Sequence, residues 1–264
     1  MVKLASARDF RQYGPILSRN RLEYINAGVY VFSTVLLLGG FAAQFSSETL
    51  SGLFLLLIGF FLILIVNLHD LLAHLAGIDY RLPLIRFDLQ FAFVEFAVPF
   101  AYAAGALLML LAALFLFLEV ENGGDPYLKW ERASLSMFVA GPTLWTLGSI
   151  LNSCQIYERS GAYVQLLQAS VAVPFSMASL LFLVASILNE TEHIGSHRHG
   201  LELLGENSKW ICVFGSLILF VGGLANVVRV FKMQQLEGLR LEKLRGQAHE
   251  QLLLGREHHH RPLI

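Results

Sequence analysis

Apolar residues run together along this chain in six long blocks, each separated from the next by a short polar segment. The blocks lie near 25–45, 51–75, 90–118, 133–154, 164–188 and 209–231. A bilayer core of about 30 Å needs roughly 20 apolar residues of helix to cross it. Backbone groups in lipid must also be satisfied within the segment, which selects helices over open strands. The pattern therefore predicts an all-α, polytopic membrane helix bundle of six spans. The third block contains Pro99, so its first turns read as interfacial. Pro142 and Pro174 fall inside the fourth and fifth, where neighbouring helices can satisfy the carbonyls that proline releases. The fourth block is rich in Ser, Thr and Gly and departs furthest from an uninterrupted span.

Composition agrees. Hydrophobic residues make up 55% of the 264 positions and charged residues only 15%, against about 25% charged in ordinary soluble domains. Mean hydropathy is +0.59. The two cysteines, Cys154 and Cys212, form no metal-spacing motif. The N-terminal "MVKLASARDFRQYGPILSRNRLEY" is too polar for a signal peptide.

Charge location changes the picture more than the net value of −1. Lys3, Arg8, Arg11, Arg19 and Arg21 precede the first span, Arg81 and Arg86 follow the second, and seven basic residues from Arg229 to Arg261 sit at or beyond the end of the sixth. The alternate loops are poor in Lys and Arg. Positive-inside bias puts both termini in the cytosol. Three regions follow: a basic amphipathic segment at 1–23, the transmembrane bundle at 24–232, and a cytosolic helix with a His-rich tail at 233–264. In that last region Leu241, Leu244, Ala248 and Leu252 stand at helical spacing. They suit either a helix lying on the membrane or one continuing from the sixth span and bundling with other copies. The closing "EHHHRPLI" reads as a disordered tail. Small residues recur at seven-residue spacing in the first, fourth and sixth spans, including Gly40, Gly141, Gly148 and Gly222. Such stripes allow close helix approach, within a subunit before between subunits.

Polar residues gather at one membrane depth. Asn67, Asp70 and His74 share a face of the second helix through spacings of three and four. Asp88 and Glu95 begin the third span. Asn152, Gln168, Asn226 and Arg229 stand at a similar level in the others. A charge near a bilayer centre costs about 2.5–3.5 kcal/mol even on the gentler scales, so these groups face a bundle interior or water. One reading is structural pairing of acids with Arg or His. The other is a cation path with Glu95, Asp70, Asn67, His74 and Asp88 as pore or ion-binding residues. In that second reading an outer acidic mouth is formed by Glu190, Glu192, Glu119 and Glu121.

Two histidine sets, "HDLLAH" and "HIGSHRH", have spacings similar to the histidine boxes of membrane desaturases and hydroxylases. The topology places them on opposite sides of the bilayer, so an enzyme is not expected. A metal-dependent lipid-modifying enzyme and a non-conducting scaffold remain the alternatives to a channel.

The basic N-terminal "RDFRQYGPILSRNRLEY", the polar "NLHDLLAH" after an apolar run, and "RFDLQFAFVEFAVPF" together resemble the WeiTsing family of small plant endoplasmic-reticulum membrane proteins, which form calcium-permeable channels. The resemblance covers general layout and carries no pore residue across. It implies a homopentamer with a central pore, endoplasmic-reticulum location, calcium release to the cytosol and a role in plant defence. The expected partners are then further copies of the chain, in a ring, and membrane lipids, without nucleic acid. No cofactor is expected, calcium being the permeant ion.

Overall fold

The computed structural model describes residues 16–46, 49–75, 89–121, 128–156, 162–195 and 204–259. They form six helices: α1 (Ile16–Ala43), α2 (Thr49–Leu75), α3 (Leu89–Glu121), α4 (Leu128–Ile156), α5 (Ala162–Gly195) and α6 (Glu206–His259). Each contains a segment long and apolar enough to cross a membrane, over Arg21–Ala43, Thr49–Ala73, Ala97–Glu121, Arg132–Ser153, Gln165–Glu192 and Glu206–Gln235. The fourth helix meets this condition despite its Ser, Thr and Gly content. Its hydroxyls are absorbed locally or by a neighbour. Thr143 donates to the Val139 carbonyl, Ser149 to that of Trp145 and Ser153 to that of Ser149, while Ser134 reaches across to Ala112. A hydroxyl bonded in this way costs little in lipid.

Each helix packs against its neighbours in the chain, and α6 closes against α1. The six therefore stand in chain order around one axis. The α1–α2 corner is tight: the amides of Gln44, Phe45 and Ser46 turn back to the carbonyls of Phe41, Ala42 and Ala43 at 3.1–3.2 Å. The exterior is apolar, with Phe32, Phe54, Phe61, Phe100, Leu166 and Phe214 more than half exposed. This is the reverse of a soluble bundle and suits lipid contact.

Small residues set the helix spacing inside the ring. The carbonyl of Gly52 lies 3.0 Å from where a Cβ on Gly40 would stand, and that of Gly105 lies 3.0 Å from the corresponding point on Gly141. Gly148 packs on Tyr102 and Gly222 on Pro174. These glycines of the seven-residue stripes thus stand at close helix contacts within the subunit. Helices α3, α4 and α5 continue through Pro99, Pro142 and Pro174.

Two helices extend beyond their apolar blocks. α1 begins at Ile16, so the latter part of the basic segment belongs to the first helix. α6 runs unbroken for 54 residues to His259, carrying the region beyond the last span as a continuation of it and taking in the first residues of the presumed tail. An unbroken backbone ladder without proline extends a helix along its own axis. Residues 1–15, with Phe10 and Tyr13, lie outside the described residues.

Candidate functional site

The ring interior divides into two halves. Toward the far end from the termini it is filled by rings. Phe41 lies 6.4 Å from Phe60 and 5.8 Å from Phe182, and Trp145 stands 6.3 Å from Phe182 and 6.0 Å from Phe175. Phe41, Phe60, Phe182 and Trp145 are fully buried and come from α1, α2, α5 and α4. Together they close the axis with an aromatic layer.

Toward the termini the interior turns polar. A cavity of about 10 Å³ is lined by Tyr30, Asn67, Tyr102, Asn152, Phe175 and Gly222, among others. These residues come from all six helices in turn, so the cavity sits on the axis. Its size suits about one water molecule. The side chains around it are held by bonds between helices. The Asn67 amide donates to the Tyr102 carbonyl at 3.2 Å, and the Trp145 indole donates to the same carbonyl at 3.0 Å. The Tyr102 hydroxyl donates to Ser149 Oγ at 3.5 Å and is also bonded by Asn152. Tyr102 thereby ties α3 to α2 and α4, while its ring packs edge-on to Phe175 of α5 at 4.9 Å.

One turn beyond Asn67 lies Asp70, only 2% exposed. Its Oδ1 accepts a hydrogen bond of 2.9 Å from Asn26 of α1, and His69 Nδ1 stands 3.6 Å from the same oxygen. Asp70 is also within electrostatic reach of Tyr30 on the cavity wall. Glu23, Gln168, Asn226 and Arg229 are buried at the same end of the bundle. The structure brings together Asn67 and Asp70 from the residues that the sequence singled out, with Asn152, Asn226 and Arg229 from the same polar level.

The other candidates are less closely placed. Glu95 lies on α3 one turn before Pro99, and His74 lies one turn beyond Asp70 on α2; their side chains, like Asp88 altogether, lie outside the described residues. Glu119 and Glu121 end α3 and Glu190 and Glu192 stand near the end of α5, which puts all four at the opposite end of the bundle. Glu121 and Glu192 are exposed and the other two partly so. Glu192 packs against Gly205 at the start of α6.

Sequence reasoning passed over Tyr30, Tyr102, Glu23 and the aromatic layer. A tyrosine within an apolar run is the only signal for the first two. Among the described residues no group of three or more His, Cys, Asp or Glu is placed to hold a metal ion. His69 and His193 stand at opposite ends of the bundle, and His197 and His199 lie outside the described residues.

No protein-family model, curated protein or solved structure matches this chain. What fold and composition define is a class: a multi-pass helical membrane protein with six apolar spans.

Proposed function

We propose that this protein is a cation-permeable channel, held here in a closed arrangement. The observation that carries the reading is the ring order of the six helices, which sets a buried carboxylate and a polar cavity beside one axis in one half of the membrane. A carboxylate in a low-dielectric ring attracts cations and repels anions. The aromatic layer of Phe41, Phe60, Trp145 and Phe182 is the constriction. Pro142 and Pro174 each remove one backbone bond, giving α4 and α5 points at which to bend. Lys and Arg bias puts the termini, and with them the Asp70 level, on the cytosolic side. Acids at the other end gather cations before entry.

Calcium as the permeant ion, the endoplasmic reticulum as the location and five copies per assembly follow from the resemblance to the WeiTsing family. The ring order departs from that resemblance in one respect: it supports a path inside each subunit, whereas a pentamer with a central pore conducts between subunits. Glu95, in the first turns of α3, belongs to the cytosolic approach in either arrangement, as the sequence pattern also has it for Asp88.

Flux through purified protein in proteoliposomes tests the proposal. Wild type should pass cations under some voltage or calcium condition. Phe182→Ala should raise the flux, and Asp70→Asn should lower the cation-over-anion selectivity. Silence of both wild type and Phe182→Ala under all conditions would favour a scaffold. Stoichiometric bound iron lost in His69→Ala would favour a metalloenzyme. Selectivity indifferent to Asp70 but changed by Glu95→Gln would move the path to the subunit boundary.

A further inference from the structure

We propose that the axial cavity holds one ordered water molecule shared by Tyr30, Asn67 and Asn152, which joins the first helix to the fourth across the ring. Helices α1 and α4 stand on opposite sides of the chain-order ring. Hydrogen bonds between neighbours run round one side of it. Asn26 to Asp70 joins α1 to α2, Asn67 to Tyr102 joins α2 to α3, and Trp145 and Ser149 join α4 to the same tyrosine. Tyr30 of α1 and Asn152 of α4 come from the two sides and meet at the cavity, which both line beside Asn67. One particle bonded to all three fastens the middle of the ring. This holds whether or not ions cross the protein.

The lining selects water by its chemistry. Asn67 and Asn152 each carry two amide protons and a carbonyl oxygen, and Tyr30 carries a hydroxyl proton and its oxygen. One Asn67 amide proton goes to the Tyr102 carbonyl, and the Asn152 side chain bonds the Tyr102 hydroxyl. Those contacts use part of each amide, so donors and acceptors both remain on the wall. A bare cation would meet N–H and O–H groups, an anion would meet oxygens, and an apolar occupant would satisfy neither. Water donates and accepts together. Tyr30, Asn67 and Asn152 are 2%, 5% and 3% exposed, and at such burial unused polar capacity is costly. Three polar partners is also the usual number for a buried water. A cavity of about 10 Å³ admits one such molecule and no larger one. The rest of the lining is apolar apart from Tyr102, whose hydroxyl is already bonded.

The test uses the full chain in nanodiscs, imaged by electron cryomicroscopy at a resolution that shows ordered water, in sodium chloride and again in N-methyl-glucamine chloride. The expected result is one density peak in both salts, within about 3.2 Å of polar atoms of Tyr30 and Asn152. Tyr30→Phe should lose the peak. Thermal unfolding then measures the link. Tyr30→Phe and Asn152→Leu should each lower Tm, and the double variant should lose clearly less than their sum, because the first change has already released the water. The wild-type density needs no variant to fold. A wild-type cavity without a peak, or a peak present only in sodium, would overturn the proposal. So would a peak out of reach of Tyr30 or Asn152, one that persists unchanged in Tyr30→Phe, or strictly additive losses in Tm, since the water would then not couple the two helices. Flux is measured separately, so a protein that passes no ions sinks the channel reading and leaves this water standing.

Discussion

The side-chain amide of Asn26 donates to the carboxylate of Asp70 across 2.9 Å, joining the first transmembrane helix to the second in the ring interior. Asn26 belongs to a face that otherwise carries small packing residues, and Asp70 has almost no solvent exposure. A buried carboxylate stays charged only where donors surround it.

Removing the donor should therefore cost more than an average surface change. Asn26→Ala is expected to destabilise the protein by about 1–3 kcal/mol, the range for leaving a buried polar group short of a partner. A double-mutant cycle with Asp70→Ala should give a coupling energy of about 0.5–3 kcal/mol. Reversible unfolding of single and double variants in mixed micelles measures both. Strict additivity would show that the bond contributes nothing.

The aromatic layer makes a second, separate prediction. Phe182 touches the rings of both Phe41 and Trp145, at 5.8 and 6.3 Å. Phe182→Ala leaves a void at the centre of a closed ring, where collapse from either side is blocked by helices. The expected loss is about 3–5 kcal/mol, and Phe182→Leu should lose clearly less. The same unfolding assay compares them. Equal losses would mean that the site relaxes to fill the space.

These two sites show what could and could not be read from the chain. The six spans were legible because uninterrupted apolar runs leave no other solution in lipid. The fourth was hardest for a physical reason: hydropathy counts Thr143, Ser149 and Ser153 as polar, although each hydroxyl is already bonded to a backbone carbonyl. The polar level was legible at Asn67 and Asp70 through their three-residue spacing. Tyr30 and Tyr102 were not, since a tyrosine in an apolar run equally suits a membrane boundary. Hydropathy also carries no information on which helix touches which. The closing contact of α6 on α1, where Gly223 admits the Tyr30 ring, had no signal beyond a small residue.

Close approach of α3 and α4 gives the third prediction. A Cβ on Gly105 would stand 2.5 Å from Trp145 Cδ1 and 2.8 Å from the Gly141 carbonyl oxygen. The carbonyl is backbone, and the indole is itself pinned by its bond to Tyr102. Gly105→Ala must push the helices apart, and overpacking of this kind costs about 1–3 kcal/mol. Gly28 is the control, because a Cβ there meets nothing within 4 Å. Gly28→Ala should be neutral or gain about 0.5–1 kcal/mol from helix propensity. Trp145 emission should shift in Gly105→Ala and stay fixed in Gly28→Ala.

The sequon at Asn189–Glu190–Thr191 gives the last prediction. An oligosaccharide needs an amide nitrogen that reaches solvent. Asn189 is instead 2% exposed, and its Oδ1 accepts the backbone amide of Gly205 at 3.0 Å, fixing the end of α5 to the start of α6. Its function here is structural, so the chain expressed in a eukaryotic cell should show no mobility change on endoglycosidase treatment. Two substitutions that both erase the sequon separate the explanations. Asn189→Ala leaves the Gly205 amide without its acceptor and should destabilise by about 1–3 kcal/mol. Thr191 is exposed and donates only to the Leu188 carbonyl within its own helix, so Thr191→Ala should change stability by less than about 0.5 kcal/mol. A glycan on the wild type would mean that the α5–α6 corner opens before it folds, and that the Asn189–Gly205 bond is not what closes it.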